Sequence, residues 1–279
     1  GVGVGSPGCR NGRLMRGASN ESLARAEEAL AGTAVTEGLG DELFSIAKLL
    51  DGSGALRRAL TDPARPRDAR VTLVQQLFGG KISPQAQEIL TTAVAGRWVS
   101  GRDLGNALDQ LSVEADVAYA DGQRKLDDVE DELFRLDRIV AAERGLSEML
   151  SDRNIPVAAR QELLGGLLQG KADAATMRLA ERAVDGRGRS FAASMRAYQV
   201  AAAARRNASI ATVRVATDLT EAERTRLATA LGLQYGRDIQ LNVIVDPDVV
   251  GGVRVDIGDE VIDGTIAARL DEAQRRIAG

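Results

Sequence analysis

The sequence predicts an α+β protein: two related all-α helical bundles in tandem, followed by a small β-α-β-β-α C-terminal domain. Three observations point there. One block of the chain recurs at a fixed offset, apolar residues through both copies return at steps of three and four, and past about Asn207 the period changes to two. Composition agrees: of 279 residues 44% are hydrophobic, yet only 3% are aromatic, and Ala, Leu and Val dominate the apolar set. That length suits one large domain or two to three small ones.

Residues 1–14, "GVGVGSPGCRNGRL", are glycine-rich and lack any amphipathic period. They read as a disordered or non-native extension, with Met15 as the expected natural start. The first bundle is expected over 15–125. Its "DELF" at residues 41–44 returns at 131–134, ninety residues on. In that register Leu56, Leu60, Asp62, Pro66, Arg70, Leu73, Leu77 and Gly80 meet Leu146, Leu150, Asp152, Pro156, Arg160, Leu163, Leu167 and Gly170. So many identities in one ungapped register mean a duplicated unit.

Within the first copy, Leu43, Ile46, Ala47 and Leu50 mark one helical face, Leu56 and Leu60 a second, Val71, Val74, Leu77 and Phe78 a third, and Ile89, Leu90, Ala93 and Val94 a fourth. Breaks fall at residues 52–54, at Asp62-Pro63, at Gly79-Gly80 and at Ser83-Pro84, where serine caps and proline suits the first turn. From Leu104 to Val140 the same spacing predicts one long helix, or two joined near Gly122, closing the first bundle and opening the second, which is expected over 126–206.

The final domain, 207–279, starts with "SIATVRVATDL", where Ala211, Val213 and Val215 alternate with polar residues as a half-buried strand requires. Thr220 and Glu223 form a capping box, and Leu227, Leu231 and Tyr235 share a helix face. A second alternating run buries Ile239, Leu241, Val243 and Val245 or the opposite set. In "GGVRVDIGDEVIDGTIAARL", residues 251–270, the glycine spacing fits neither a dinucleotide loop nor a P-loop. A calcium loop from Asp246 has Asp248 at its third position, but Val250 and Ile257 stand where oxygens belong. The stretch reads instead as a strand bearing Val253, Val255 and Ile257, a Gly258-Asp259 turn, a return over 260–262, a cap at Asp263 or Thr265, and a last helix with Ile266, Leu270, Ala273 and Ile277 inward.

Chemistry is hard to find. There is no histidine, which removes His-based catalysis and His metal sites, and Cys9 is alone, which removes disulfides and thiolate clusters. With 36 basic against 40 acidic residues the net charge is −4, no basis for a nucleic-acid partner. The acidic run 127–132 reads as a solvated helix face rather than a metal site, Arg205-Arg206 as a complement to a helix C-terminus, and Trp98 as core or bundle-edge packing. The most apolar run, 200–204, falls far short of the ~20 residues that cross a bilayer, so a soluble cytoplasmic chain is expected.

The tail "VDPDVVGGVRVDIGDEVIDGTIAARLDEAQRRI", with its Asp-Pro, double glycine, Gly-Asp and Asp-Gly-Thr, resembles the C-terminal motif of the delta subunit of F-type ATP synthase, the oligomycin-sensitivity-conferring protein family. The likeness extends through "TVRVATDLTEAER" and "LSEMLSD…IPVAARQELLGGLL" and covers Met15 to Gly279. Two departures stand out. Thr265 occupies the family's usual serine, and the usual member has one helical bundle where this chain has two. The copy at 126–206 takes the usual place, and the first is similar to the added duplicate of extended delta subunits in some high-GC bacteria.

The resemblance implies a non-catalytic peripheral-stalk subunit that tethers the catalytic head to the stalk so that rotary, proton-driven ATP synthesis stays coupled. It implies no catalytic residue, metal or cofactor. The partners would be the N-terminal helices of the alpha subunits and the C-terminal end of the b subunit, at the cytoplasmic face of a bacterial plasma membrane. By family analogy the groove lies between the first and fifth helices, which in copy one brings in Leu23, Ala26, Leu30, Ile89, Leu90 and Ala93. The competing reading is that most of these are simply core. The alternative function is a helical adaptor binding amphipathic helices in another assembly, with a small Asp/Glu hydrolase third.

Overall fold

Helices form where the apolar stripes run and stop where glycine, proline or a capping side chain interrupts them. The computed structural model describes residues 17–235, 239–247, 249, 251–258 and 260–264. The helices are α1 (Ala18–Ala31), α2 (Leu39–Gly52), α3 (Gly54–Thr61), α4 (Arg67–Phe78), α5 (Pro84–Ala95), α6 (Gly101–Gly122), α7 (Leu126–Ala142), α8 (Arg144–Ser151), α9 (Val157–Leu168), α10 (Ala174–Asp185), α11 (Phe191–Ala208) and α12 (Glu221–Tyr235). The strands are β1 (Ile210–Val215), β2 (Gln240–Val245), β3 (Val253–Ile257) and β4 (Glu260–Asp263). The expected N-terminal extension, the last helix with Ile266, Leu270, Ala273 and Ile277, its cap at Thr265, and the calcium-loop positions Asp248 and Val250 lie outside the described residues.

The repeat is structural to the residue: α3, α4 and α5 begin and end ninety positions before α8, α9 and α10. The polar ties repeat as well. Glu42 accepts the Ser83 amide at 3.0 Å and Glu132 accepts the Asp173 amide at 2.9 Å, while Ser83 and Asp173 in turn cap α5 and α10. Buried Arg70 donates to the Val94 and Gly96 carbonyls, each at 2.8 Å, and its counterpart Arg160 donates to Leu150 and Val184 at 2.9 and 3.1 Å. Here the structure corrects the expected third face of copy one. The inward row of α4 is Arg70, Val74 and Phe78, whereas Leu77 is 37% exposed. An arginine took an apolar position because carbonyls at the end of α5 needed donors.

Each copy has its own core. The first holds Leu39, Leu43, Leu50, Leu60, Ile89 and Leu90, the second Leu133, Leu150, Leu164, Leu179, Met195 and Tyr198. Burying each such side chain is worth about 1.5–3 kcal/mol, which is what holds α3 and α8, at eight residues each too short to persist alone. The two cores share α6. Leu104, Ala107, Leu108, Leu111 and Ala115 enter the first, and Val113, Val117 and Ala120 the second. Of the two expected linkers the molecule uses the broken one: α6 ends at Gly122, and Arg124 turns the chain at φ 59° before α7.

The bundles form one compact unit ending at Ala202, and the chain from Ala203 onward forms another. In the second unit the sheet order is β2-β1-β3-β4, with β1 and β2 parallel across the α12 crossover and the other pairs antiparallel. Ala211, Val213 and Val215 face its core, as the alternation requires, and Gly258 takes φ 55° in the turn before β4. The return after that turn is a strand in its own right, so the described domain reads β-α-β-β-β up to its last strand. The capping box is present: the Thr220 amide donates to Glu223 at 2.9 Å and the Glu223 amide to the Thr220 hydroxyl at 3.4 Å. Along β2, Leu241 and Val243 pack inward while Val245 is half exposed.

Candidate partner-binding surfaces

The first bundle brings Leu23, Ala26 and Leu30 on α1 together with Ile89, Leu90 and Ala93 on α5. Five of the six are buried in its core, and Leu23 packs partly buried at the margin. A buried side chain shapes a groove without touching an occupant. The outward surface of this helix pair belongs instead to Ala24, Arg25, Glu28 and Glu88, which are exposed, with half-buried Thr91 and Thr92 between them. The N-terminal end of α1 is pinned to the chain beyond α5: the Arg97 amide donates to Ser22 Oγ and the Val99 amide to Ser19 Oγ, both at 2.8 Å. Gly96 lets this contact close, because a Cβ there would lie 2.5 Å from Ser22 Oγ.

The second copy's equivalent pair, α6 and α10, looks quite different, because α2 of the first copy lies along it. Asp116 on α6, 2% exposed, receives Arg182 at 2.7 Å and Arg178 at 3.3 Å from α10. The same arginines reach α2 and the turn before it, Arg182 to Asp41 at 3.0 Å and Arg178 to Glu37 at 3.2 Å, and the Arg182 guanidinium sits 5.0 Å from the centre of the Phe44 ring. Lys48 meets Asp185 at 2.5 Å, and Arg187, in the 3-10 turn Gly186–Gly188 after α10, meets Asp51 at 2.7 Å and Asp109 at 3.4 Å. Burial pushes the Asp116 carboxyl above the ordinary aspartate range, and the facing Arg182 and Arg178 oppose that.

Glycine permits the close approach of α2 to α6, since a Cβ on Gly40 would lie 2.6 Å from both the Ser112 carbonyl and Asp116. Periodicity alone misses this seam. Its only signal in the sequence lies in the repeat register, which sets Asp116 against Ala26 and Arg182 against Thr92, charged groups against small ones.

Among the described residues no group of three or more His, Cys, Asp or Glu is placed to hold a metal, and no helix is long and apolar enough to cross a membrane. The acidic run at 127–132 lies on α7 with Val129 turned into the core. Trp98 is 8% exposed and donates its indole N–H to the Ala93 carbonyl at 2.9 Å, a packing role. Arg205 and Arg206 sit in the last turn of α11, where positive charge complements the helix dipole. A cleft of about 710 Å³ is lined by Arg65, Arg67, Arg97 and Trp98 beside Arg70. Its one hydroxyl, on Thr61, donates to the Arg57 carbonyl, so it offers no activated nucleophile.

Comparison with known proteins adds the rest. The family model described as ATP synthase delta (OSCP) subunit matches residues 113–277, beginning within α6. A protein of Kineococcus radiotolerans named ATP synthase subunit delta is 44% identical over 275 residues, covering 96% of this chain and 100% of the relative. Its namesake from Nocardioides sp. is 46% identical, covering 95% of this chain and 98% of the relative. That of Streptomyces avermitilis is 44% identical over 94% of this chain and 98% of its own length. Similarity thus takes in both bundles and the sheet domain, and the chain belongs to the ATP synthase delta (OSCP) subunit family.

Proposed function

We propose that the protein is a non-catalytic stator subunit of a bacterial ATP synthase, tethering the alpha subunits of the catalytic head to the b-subunit stalk so that rotary, proton-driven ATP synthesis is coupled. The observation that carries this reading is the end-to-end similarity to delta subunits. The physical demand on such a tether is stiffness under torque, and two bundles that share α6 and are joined by ion pairs from α10 to α2 meet it. The assembly holds the chain peripherally at the cytoplasmic face of the membrane.

In this reading the added copy is the first bundle, since the family model begins at residue 113 and leaves α1–α5 outside it. The alpha-subunit helix lies across α1 and α5, with Leu23 at the rim and Ala26, Leu30, Ile89, Leu90 and Ala93 as the floor that sets its shape; such a groove takes an amphipathic helix through anchors at i, i+3, i+4 and i+7. The C-terminal unit meets the end of b. Several modest contacts on one chain raise the effective affinity of each.

Deleting the chain from the assembled enzyme tests this. The expected result is retained ATP hydrolysis by the head with loss of hydrolysis-driven proton pumping. Tight coupling in the chain's absence, or failure of the chain to co-purify with alpha and b, would overturn the reading.

A further inference from the structure

The internal repeat supplies a worked example of what one of its helix faces binds. Glu37 in the turn before α2, together with Asp41, Phe44 and Lys48 on α2, forms an outward row, and that row is occupied in cis by α10. Arg178 meets Glu37, Arg182 meets Asp41 and stacks on Phe44, and Asp185 meets Lys48. The occupant therefore presents arginines at i and i+4 and a carboxylate at i+7, a spacing that keeps all three on one helix face.

Ninety positions on, α7 carries the same row as Asp127, Asp131, Phe134 and Arg138. The cation keeps its place by the ring, Lys48 lying 5.9 Å from the Phe44 ring centre and Arg138 6.0 Å from that of Phe134, while Asp127 sits inside the first turn of α7 where Glu37 precedes α2. Its surroundings do not repeat. The charged members are exposed in both rows, but Phe44 is half-buried beneath Arg182 whereas Phe134 is 52% exposed, with Met149 on α8 46% exposed in the same copy. A phenylalanine held half in water between two carboxylates and an arginine is a row without its occupant.

We infer that the outward face of α7 is a helix-docking surface, and that its occupant is a helix of another chain presenting arginines at i and i+4 and a carboxylate at i+7. The carboxylates of Asp127 and Asp131 receive the two guanidinium groups, Asp131 giving up its exposed pairing with Arg135 on the same helix to do so; one guanidinium covers Phe134, and Arg138 takes the carboxylate. The α10 helices of other copies of this chain do not serve, because their Arg178, Arg182 and Asp185 are already engaged in cis. Glu130 stands where α2 has Gly40, so the occupant rides on α7 and cannot sink toward a neighbouring backbone as α2 does on α6.

The test uses the full chain and a hydrocarbon-stapled helical peptide of residues 174–189 as probe, with its staple on the face away from Arg178, Arg182 and Asp185. The expected result is saturable one-to-one binding, amide-exchange protection over 126–142, and at least a tenfold loss of affinity on Phe134→Ala or Asp131→Arg. The same loss is expected for a peptide carrying Arg178→Glu and Arg182→Glu. Both chain substitutions lie on exposed positions, and an unchanged melting curve confirms that the variants fold. No saturable binding, binding indifferent to both substitutions, or protection confined to other helices would overturn the proposal. So would self-association of the chain that Phe134→Ala abolishes, because the occupant would then be a second copy.

Discussion

The two bundles share a scaffold and differ on their surfaces. Capping carboxylates at 42 and 132, carbonyl-binding arginines at 70 and 160, and helix limits offset by ninety residues make the interiors copies of one another. On the helix pairs α1/α5 and α6/α10 the likeness ends. Ala26, Thr92 and Ala95 of the first copy stand where the second has Asp116, Arg182 and Asp185. After duplication most of the interior was held by packing that tolerates little change, while in the second copy the margin between the paired helices exchanged small residues for charged ones and became the seam joining the copies.

The sharpest way to break this comparison is to remove a seam cation. Arg182→Ala leaves Asp116 buried and half paired, and the expected loss is about 3–5 kcal/mol in urea unfolding of the bundle unit. Thr92→Ala, its counterpart in the first copy, should cost less than about 1 kcal/mol. Giving the seam its counterpart's residues, Asp116→Ala with Arg182→Thr, should recover most of the loss, since removing both members of a buried pair costs far less than removing one. A double variant as unstable as Arg182→Ala would mean that the ion pair is not what the single change breaks.

The shared scaffold makes the next prediction symmetrical. Arg70→Leu and Arg160→Leu each strand buried carbonyls and should each cost about 2–3 kcal/mol, agreeing within about 1 kcal/mol in thermal unfolding. A large inequality would show that the copies have diverged inside as well as outside. Gly40→Ala tests the close approach of α2 to α6. Its Cβ would meet backbone and a buried carboxylate at 2.6 Å, and a loss of about 1–3 kcal/mol with faster amide exchange in α2 is expected.

The smallest effect is one of pH. Glu27 on α1 is half-buried, and burial, helped by neighbouring Glu28, raises its pKa above the ordinary 4.5. Because the folded pKa is the higher one, the native state binds the extra proton in the window from about 4.5 up to the raised value. Stability attributable to this group therefore falls as pH rises through that window. Glu27→Gln should raise the stability of the first bundle at neutral pH and leave it unchanged below pH about 4, seen as a flatter plot of melting temperature against pH. In the second copy Val117 holds this position and carries no such dependence.

Much of the fold was legible because its signals are local. A step of three or four residues sets a helix face, Ser83-Pro84 sets a helix start, Thr220 with Glu223 caps α12, and alternation through Ala211, Val213 and Val215 makes a strand. Where a local reading failed, as at Leu77 and Arg70, the deciding partner lay more than twenty positions away, at the carbonyls of Val94 and Gly96. The candidate groove was legible only as a set of apolar positions. Periodicity marks Ala26 and Ile89 as inward, but it does not distinguish a groove wall from a core, and the structure buries both.

The sequence by itself determined the duplication, the helical bundles and the change to a sheet domain, because each is written in short-range period, capping and repeated identity; it pointed to the family through the likeness of its tail motif. Only the tertiary structure decided that α6 serves two cores, that α2 lies along α10, and that the row on α7 stands uncovered while its twin on α2 does not. Asp41 and Arg182 are 141 positions apart, and no local energy term links them; their contact exists because two packed bundles place both beside one buried carboxylate.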